Sequence, residues 1–151
     1  MRAMEEPIEY AEYGQRVRAA VIDSVLLYII AGILIFGFSL FAFRTAGSPL
    51  AGVFNFFAVV VAYVGPTLYY AVCYAEGGQT LGKMSGNIAV RRDGDEDSSL
   101  GYVRSVIRAL VPPYLWVLLI VPGLLDVLWP LWDPKKQTLH DKLVGSVVIQ
   151  V

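Results

Sequence analysis

The chain predicts an all-α integral membrane protein. Its parts are two full transmembrane helices, a broken Pro/Gly-rich helical hairpin, a parallel internal repeat and a small two-stranded cytoplasmic β-ribbon. Three observations carry that expectation. Hydrophobic residues make up 56% of the 151 and the mean hydropathy is +0.58, whereas soluble domains average about 45–50% apolar. Two apolar runs, Ala19 to Phe43 and Gly52 to Tyr74, each satisfy the roughly 20 residues that a helix needs to cross a bilayer core. A polar Q-T-L element occurs twice, at Gln79 and at Gln137, each time between an apolar region and a short β-branched run.

The remaining composition narrows the classes. The formal net charge is -1, but the charges are segregated to the N-terminus, to Glu76 through Arg108 and to the tail after Leu131. No basic stripe interleaves with aromatics and Asp93 to Asp97 is acidic, so nucleic-acid binding is not expected. Glu5, Glu6, Glu9 and Glu12 replace the basic start of a secretory signal, and the apolar run behind them is too long for one. Cys73 is a single cysteine at the end of an apolar segment and reads as packing.

The first span carries an aspartate, Asp23, near its start, and Arg16 two helical turns before it. A carboxylate inside a span costs roughly 2.5–3.5 kcal/mol on insertion scales and needs a partner, a water path or a proton. It is either a functional site or a tie between helices. Arg16 and Asp23 share a helix face but lie about 10.5 Å apart along the axis. The arginine leans towards the N-terminus and the cytoplasmic surface, which disfavours a direct pair. Arg16 is expected to meet a carboxylate of the polar layer, Asp141 first. Asp23 is left to Arg108, Arg18 or a tyrosine such as Tyr69 or Tyr70.

The second span contains Pro66, which removes a backbone donor and predicts a kink. The third apolar region, Ala109 to Trp132, holds Pro112-Pro113, Pro122-Gly123, Pro130 and Asp126. One straight helix through these is not expected. At about 24 residues the region is short of the roughly 40 that two crossings require. It therefore reads as a hairpin of half-helices turning at Pro122-Gly123 and re-entering the membrane. Ser98 or Ser99 is the expected N-cap of the helix through Arg104 and Arg108.

Positive charge sets the orientation. Arg2, Arg16 and Arg18 precede span one; Lys83, Arg91, Arg92 and Arg104 follow span two; Lys135, Lys136 and Lys142 lie in the tail. The loop from Arg44 to Ala51 has one arginine. The N-terminus, the middle loop and the tail are thus expected in the cytoplasm. The last apolar region must then enter and leave on one side, as a parallel repeat requires.

The repeat reads Q-T-L-G-K-M-S-G-N-I-A-V from Gln79 and Q-T-L-H-D-K-L-V-G-S-V-V-I from Gln137, aligned with one inserted residue. A weaker match is R-A-A-V-I at Arg18 against R-A-L-V-P at Arg108. The chain is one domain, residues 1–151, with repeat 1 at about 13–92 and a shortened repeat 2 at about 101–151. The runs Ile88 to Arg92 and Ser146 to Val151 should pair as a ribbon, placing Val90 near Val148.

These features together resemble the RDD family of small prokaryotic membrane proteins. The matching residues are R-V-R-A-A-V-I-D, with Arg16 as the family arginine and Asp23 as the helix aspartate, then G-G-Q-T-L-G-K at Gly77 to Lys83, then the closing Q-T-L-H-D-K-L-V-G-S-V-V. The resemblance spans nearly the whole chain. It implies a multi-pass protein of the prokaryotic plasma membrane, and transport, including sodium/proton exchange for some members. Asp141 is taken as the second family aspartate, with Asp126 and Asp133 as competitors.

The chemistry on offer is sparse. No nucleophile–base pair or metal cluster is visible, G-G-Q-T-L-G-K lacks P-loop spacing, and neither enzyme activity nor a cofactor or metal is expected. His140 beside Asp141 is a candidate proton relay, because imidazole ordinarily titrates near neutrality, or it fastens the last turn. The candidate transport or ion-pair set is Arg16, Asp23, Arg108, Asp126, His140 and Asp141. The leading reading is a small cation/proton exchanger using intramembrane aspartates, with the lipid bilayer, a monovalent cation and a proton as partners. The alternative is a non-transporting scaffold or accessory subunit whose charges lock helix packing. A chain with so few spans encloses little, which favours a homo-oligomer, with Gly32, Gly37 and Gly52 as positions of close helix approach.

Overall fold

A computed structural model of the chain describes residues 8–95, 97–118 and 120–151. Arg2, Glu5 and Glu6, which entered the charge pattern, lie outside the described residues. Helix α1 spans Tyr13–Arg44 and α2 spans Pro49–Glu76. Both are long and apolar enough to cross a membrane. They run as an antiparallel pair joined by a four-residue turn, with Phe38 stacked on Phe57 and Phe41 on Phe54. Most of their large apolar side chains are exposed, as helices that face lipid require. Helix α2 runs unbroken through Pro66.

A short helix α3 (Leu81–Met84) leads into strand β1 (Ile88–Arg92). Helix α4 (Tyr102–Leu118) and helix α5 (Ile120–Leu128) follow, then a 3-10 turn at Trp129–Leu131, helix α6 (Leu139–Val144) and strand β2 (Ser146–Gln150). The strands pair, as the sequence predicts; the pairing is antiparallel, with Val90 opposite Val148. Residues 9–11 bond the free edge of β2: the Ala11 amide donates to the Val148 carbonyl and the Gln150 amide to that of Glu9. Both ends of the chain are therefore stitched together. The buried apolar cluster, Ala11, Ala19, Tyr74, Ile88, Val90, Leu100, Val144 and Val148, sits around this ribbon and the near ends of the long helices.

Two local expectations are corrected. Helix α4 continues through Pro112-Pro113, and Pro122-Gly123 lies inside α5 and not at a turn. Prolines are carried inside such helices where neighbouring helices cover the freed backbone, and α4 packs against α2, α5 and α6. The return leg itself is present, because α4 and α5 each reach adjacent residues of α6, Arg108 at Asp141 and Asp126 at His140. Helix α4 begins at Tyr102, after Gly101 in the left-handed region, and not at Ser98 or Ser99. Gly32, Gly37 and Gly52 have open space where a Cβ would stand, so none is a close approach within the chain.

Candidate functional site

The two Q-T-L elements fold alike. Thr80 caps α3 by accepting from the Lys83 amide at 3.2 Å, and Thr138 caps α6 by accepting from the Asp141 amide at 3.0 Å. The Gln79 side chain donates to the carbonyl of Ile88, and that of Gln137 to the carbonyl of Ser146, each nine residues on and each the first residue of a strand. Asn87 and Gly145, immediately before those strands, both adopt the left-handed conformation. This register needs no inserted residue, contrary to the sequence alignment. Asn87, not Gly86, answers to Gly145, and Lys83 stands where Asp141 does.

Each short helix also donates an amide to an aspartate from an apolar helix. Gly82 bonds Asp23 of α1 at 2.8 Å, and His140 bonds Asp126 of α5 at 2.9 Å. Anionic groups are favoured at such helix starts. Asp23 is 1% exposed and accepts further bonds from Tyr69 Oη at 2.9 Å and Thr80 Oγ1 at 2.5 Å. Tyr69 in turn accepts from the Leu81 amide. Of the donors foreseen for Asp23, Tyr69 serves, whereas Arg108, Arg18 and Tyr70 make no hydrogen bond to it among the described residues; Thr80 and Gly82 are donors the sequence does not signal. A Cβ on Gly82 would strike the Ala19 carbonyl and come within 2.9 Å of the Asp23 carboxyl carbon. Glycine is what lets α3 approach α1 so closely.

Asp141 is fully buried and is the hub of the charged layer. Arg16 Nη1 lies 3.1 Å and Arg108 Nη2 2.6 Å from its two oxygens. Ser146 Oγ and the Thr138 amide donate to it as well. Arg108 lies over the ring of Tyr74, 4.4 Å from its centroid. Arg16 also reaches the carbonyls of Ala11 and Val148, back towards the chain's start as side-chain direction demands. Burial pushes the Asp141 carboxyl up, but Arg108 first, then His140 and Arg16, overturn that and hold it well below the ordinary carboxylate range. The expected pairing of Arg16 with Asp141 is in place, and Arg108 joins the same carboxylate and not Asp23.

His140 does not pair with its neighbour Asp141; its Nδ1 lies 2.7 Å from Asp126 Oδ2. Successive residues at a helix start point different ways, so adjacency in sequence did not bring them together. Asp133, the third candidate aspartate, pairs with Lys142 and accepts from the Gln137 amide.

A cavity of about 580 Å³ opens between α1, α2, α4 and α5. Arg16, Asp23, Lys83, Arg108, Asp126 and His140 line its polar end; Leu27, Ala31, Ile35, Ala62 and Pro66 line its apolar walls. The RDD family model matches residues 10–145, a stretch that holds every one of these groups.

The chain belongs to the RDD family. No curated protein and no solved structure matches it. It is a membrane-associated RDD protein in which buried ion pairs hold the helix packing. The family match covers both Q-T-L elements, the Asp23 cluster and the Asp141 hub.

Proposed function

We propose that this RDD protein is a non-transporting membrane module, a scaffold or accessory subunit whose charged layer locks two lipid-facing helices onto a cytoplasmic ribbon. The occupancy of its carboxylates carries the reading. Asp23 accepts from Tyr69, Thr80 and Gly82, Asp141 from two arginines and Asp126 from His140, so a cation would have to displace protein donors to bind. The two Q-T-L elements act in this reading as two copies of one fastening unit. Their matched caps, glutamine bonds and left-handed residues support a parallel repeat, although the capping aspartates come from non-equivalent helices.

The N-terminus, the ribbon and the tail are assigned to the cytoplasm by their lysines and arginines. A cysteine at Gln150 in a Cys73-free background should be protected from an impermeant thiol reagent in intact cells. Labelling from outside would overturn that orientation.

The cavity favours one second reading, cation/proton exchange, since Asp23, Asp126 and His140 all line it. Proteoliposomes with an internal pH dye separate the two. The scaffold reading expects no cation-driven pH change. A change abolished by Asp23→Asn or Asp126→Asn would establish exchange and sink the scaffold reading.

A further inference from the structure

One buried charge is left over from the locking layer. Lys83 is 8% exposed and faces the cavity. Its side-chain nitrogen has no ion pair among the described residues; it lies 5.8 Å from the centroid of the Tyr74 ring, within electrostatic reach of Arg108, Arg16, Asp141 and Asp23. The neighbouring carboxylates are committed: Asp141 to the arginines, Asp23 to its hydroxyl and amide donors, Asp126 to His140. Buried charges are ordinarily paired or give up their charge, so a buried amine without an ion pair at the end of a cavity is where an anion from outside the chain would hold the ammonium form.

The cavity's shape says what carries that anion. It follows α1 from Arg16 to Ile35, about 28 Å at helical rise. Beyond Asp23 its wall on α1 includes Leu27, Ala31 and Ile35, one helix face running about 12 Å, a little under half a bilayer core of roughly 30 Å. Ala62 and Pro66 of α2 face the same space. Its volume falls in the roughly 300–1,000 Å³ range of small-molecule sites. Inorganic phosphate would leave the apolar arm empty, and an uncharged chain would leave Lys83 unanswered.

The geometry points to a binding site for a single-chain anionic amphiphile drawn from the bilayer, its phosphate or carboxylate head on Lys83 and its hydrocarbon chain along Leu27, Ala31 and Ile35. Arg16 and Arg108 border the head position, each paired with Asp141. Ala31 and Ala62 are small, and that leaves the arm open.

Equilibrium binding of radiolabelled hexadecyl phosphate to the full chain in an uncharged detergent tests this. Saturable binding is expected, with neither hexadecanol nor inorganic phosphate competing at equal concentration. Lys83→Gln should weaken binding about tenfold or more, the usual worth of a charge-assisted contact. Lys83→Met should do the same, and because it removes an unpaired buried charge it should fold at least as stably as the parent. Ala31→Trp should block the arm and weaken hexadecyl phosphate while leaving the melting temperature near that of the parent. Equal competition by hexadecanol would overturn the role of the anionic head. Equal competition by inorganic phosphate would overturn the role of the chain. Unchanged affinity in folded Lys83→Gln and Lys83→Met would overturn the site.

Discussion

Asp23 illustrates how a single carboxylate can be kept inside a lipid-facing helix. Its three donors come from α2 and from the start of α3, and Gly82 must lack a side chain for that start to fit. Gly82→Ala forces a methyl group into backbone, so a loss of about 1–3 kcal/mol is expected, against a change near zero for Gly37→Ala, where space is open. Thermal unfolding in detergent ranks the two; equal effects would remove Gly82 from the account. Lys83 supplies a pH dependence. Burial first, and then Arg108, lower its pKa from 10.5 to about 7. Between those values the unfolded chain binds the proton that the folded chain has released, so stability should rise as pH climbs from about 7 towards 10.5. The Lys83→Met variant should lose that rise and be the more stable form at pH 6, by up to a few kcal/mol. A parallel pH profile for parent and variant would contradict this.

At the scale of elements, the paired caps predict an asymmetry. Thr138→Ala removes one helix cap, about 1 kcal/mol. Thr80→Ala removes a cap and also the hydroxyl that donates to buried Asp23, so it should cost more than Thr138→Ala in the same melting measurement. Much at this level was legible in the sequence. The apolar runs located α1 and α2 to within several residues, since span length is a property of local composition. The ribbon was legible because its β-branched runs follow matching polar motifs, which put Val90 and Val148 in paired strands, while their direction and register came only from the fold. The turn of the hairpin was misplaced because the cost of Pro112-Pro113 and Pro122-Gly123 depends on neighbours that no local pattern reports. The pairing of His140 with Asp126 was hidden for the same reason. Lys83 was read only as a loop charge, and nothing in G-G-Q-T-L-G-K signals that its side chain turns into a cavity.

For the whole molecule, the decisive geometry is that the first and last parts of the chain meet at Asp141. Arg16 arrives from the start of α1, Arg108 from α4, and the carboxylate from α6, while residues 9–11 close over β2 beside them. Arg108 can meet Asp141 within the later half of the chain, but folding has to bring the start of α1 to α6 before Arg16 is compensated. Removing one member leaves the others buried and unpaired, at a cost of roughly 3–5 kcal/mol. Asp141→Ala should be the most damaging, because it strands two arginines, one of them 5% exposed. Arg16→Ala should cost less, since Arg108 remains on the carboxylate. The double variant should lose less than the sum of the two, because they share one interaction. Acid should act through the same hub: the depressed Asp141 pKa gives stability that is present above the ordinary carboxylate range and lost only as pH falls through its lowered value. A double-mutant cycle measured by detergent unfolding reads this directly. Additive losses would mean that Arg16 and Asp141 are independent, and the ion-pair lock would then give way to the Asp23 cluster as the main tie between the long helices and the ribbon.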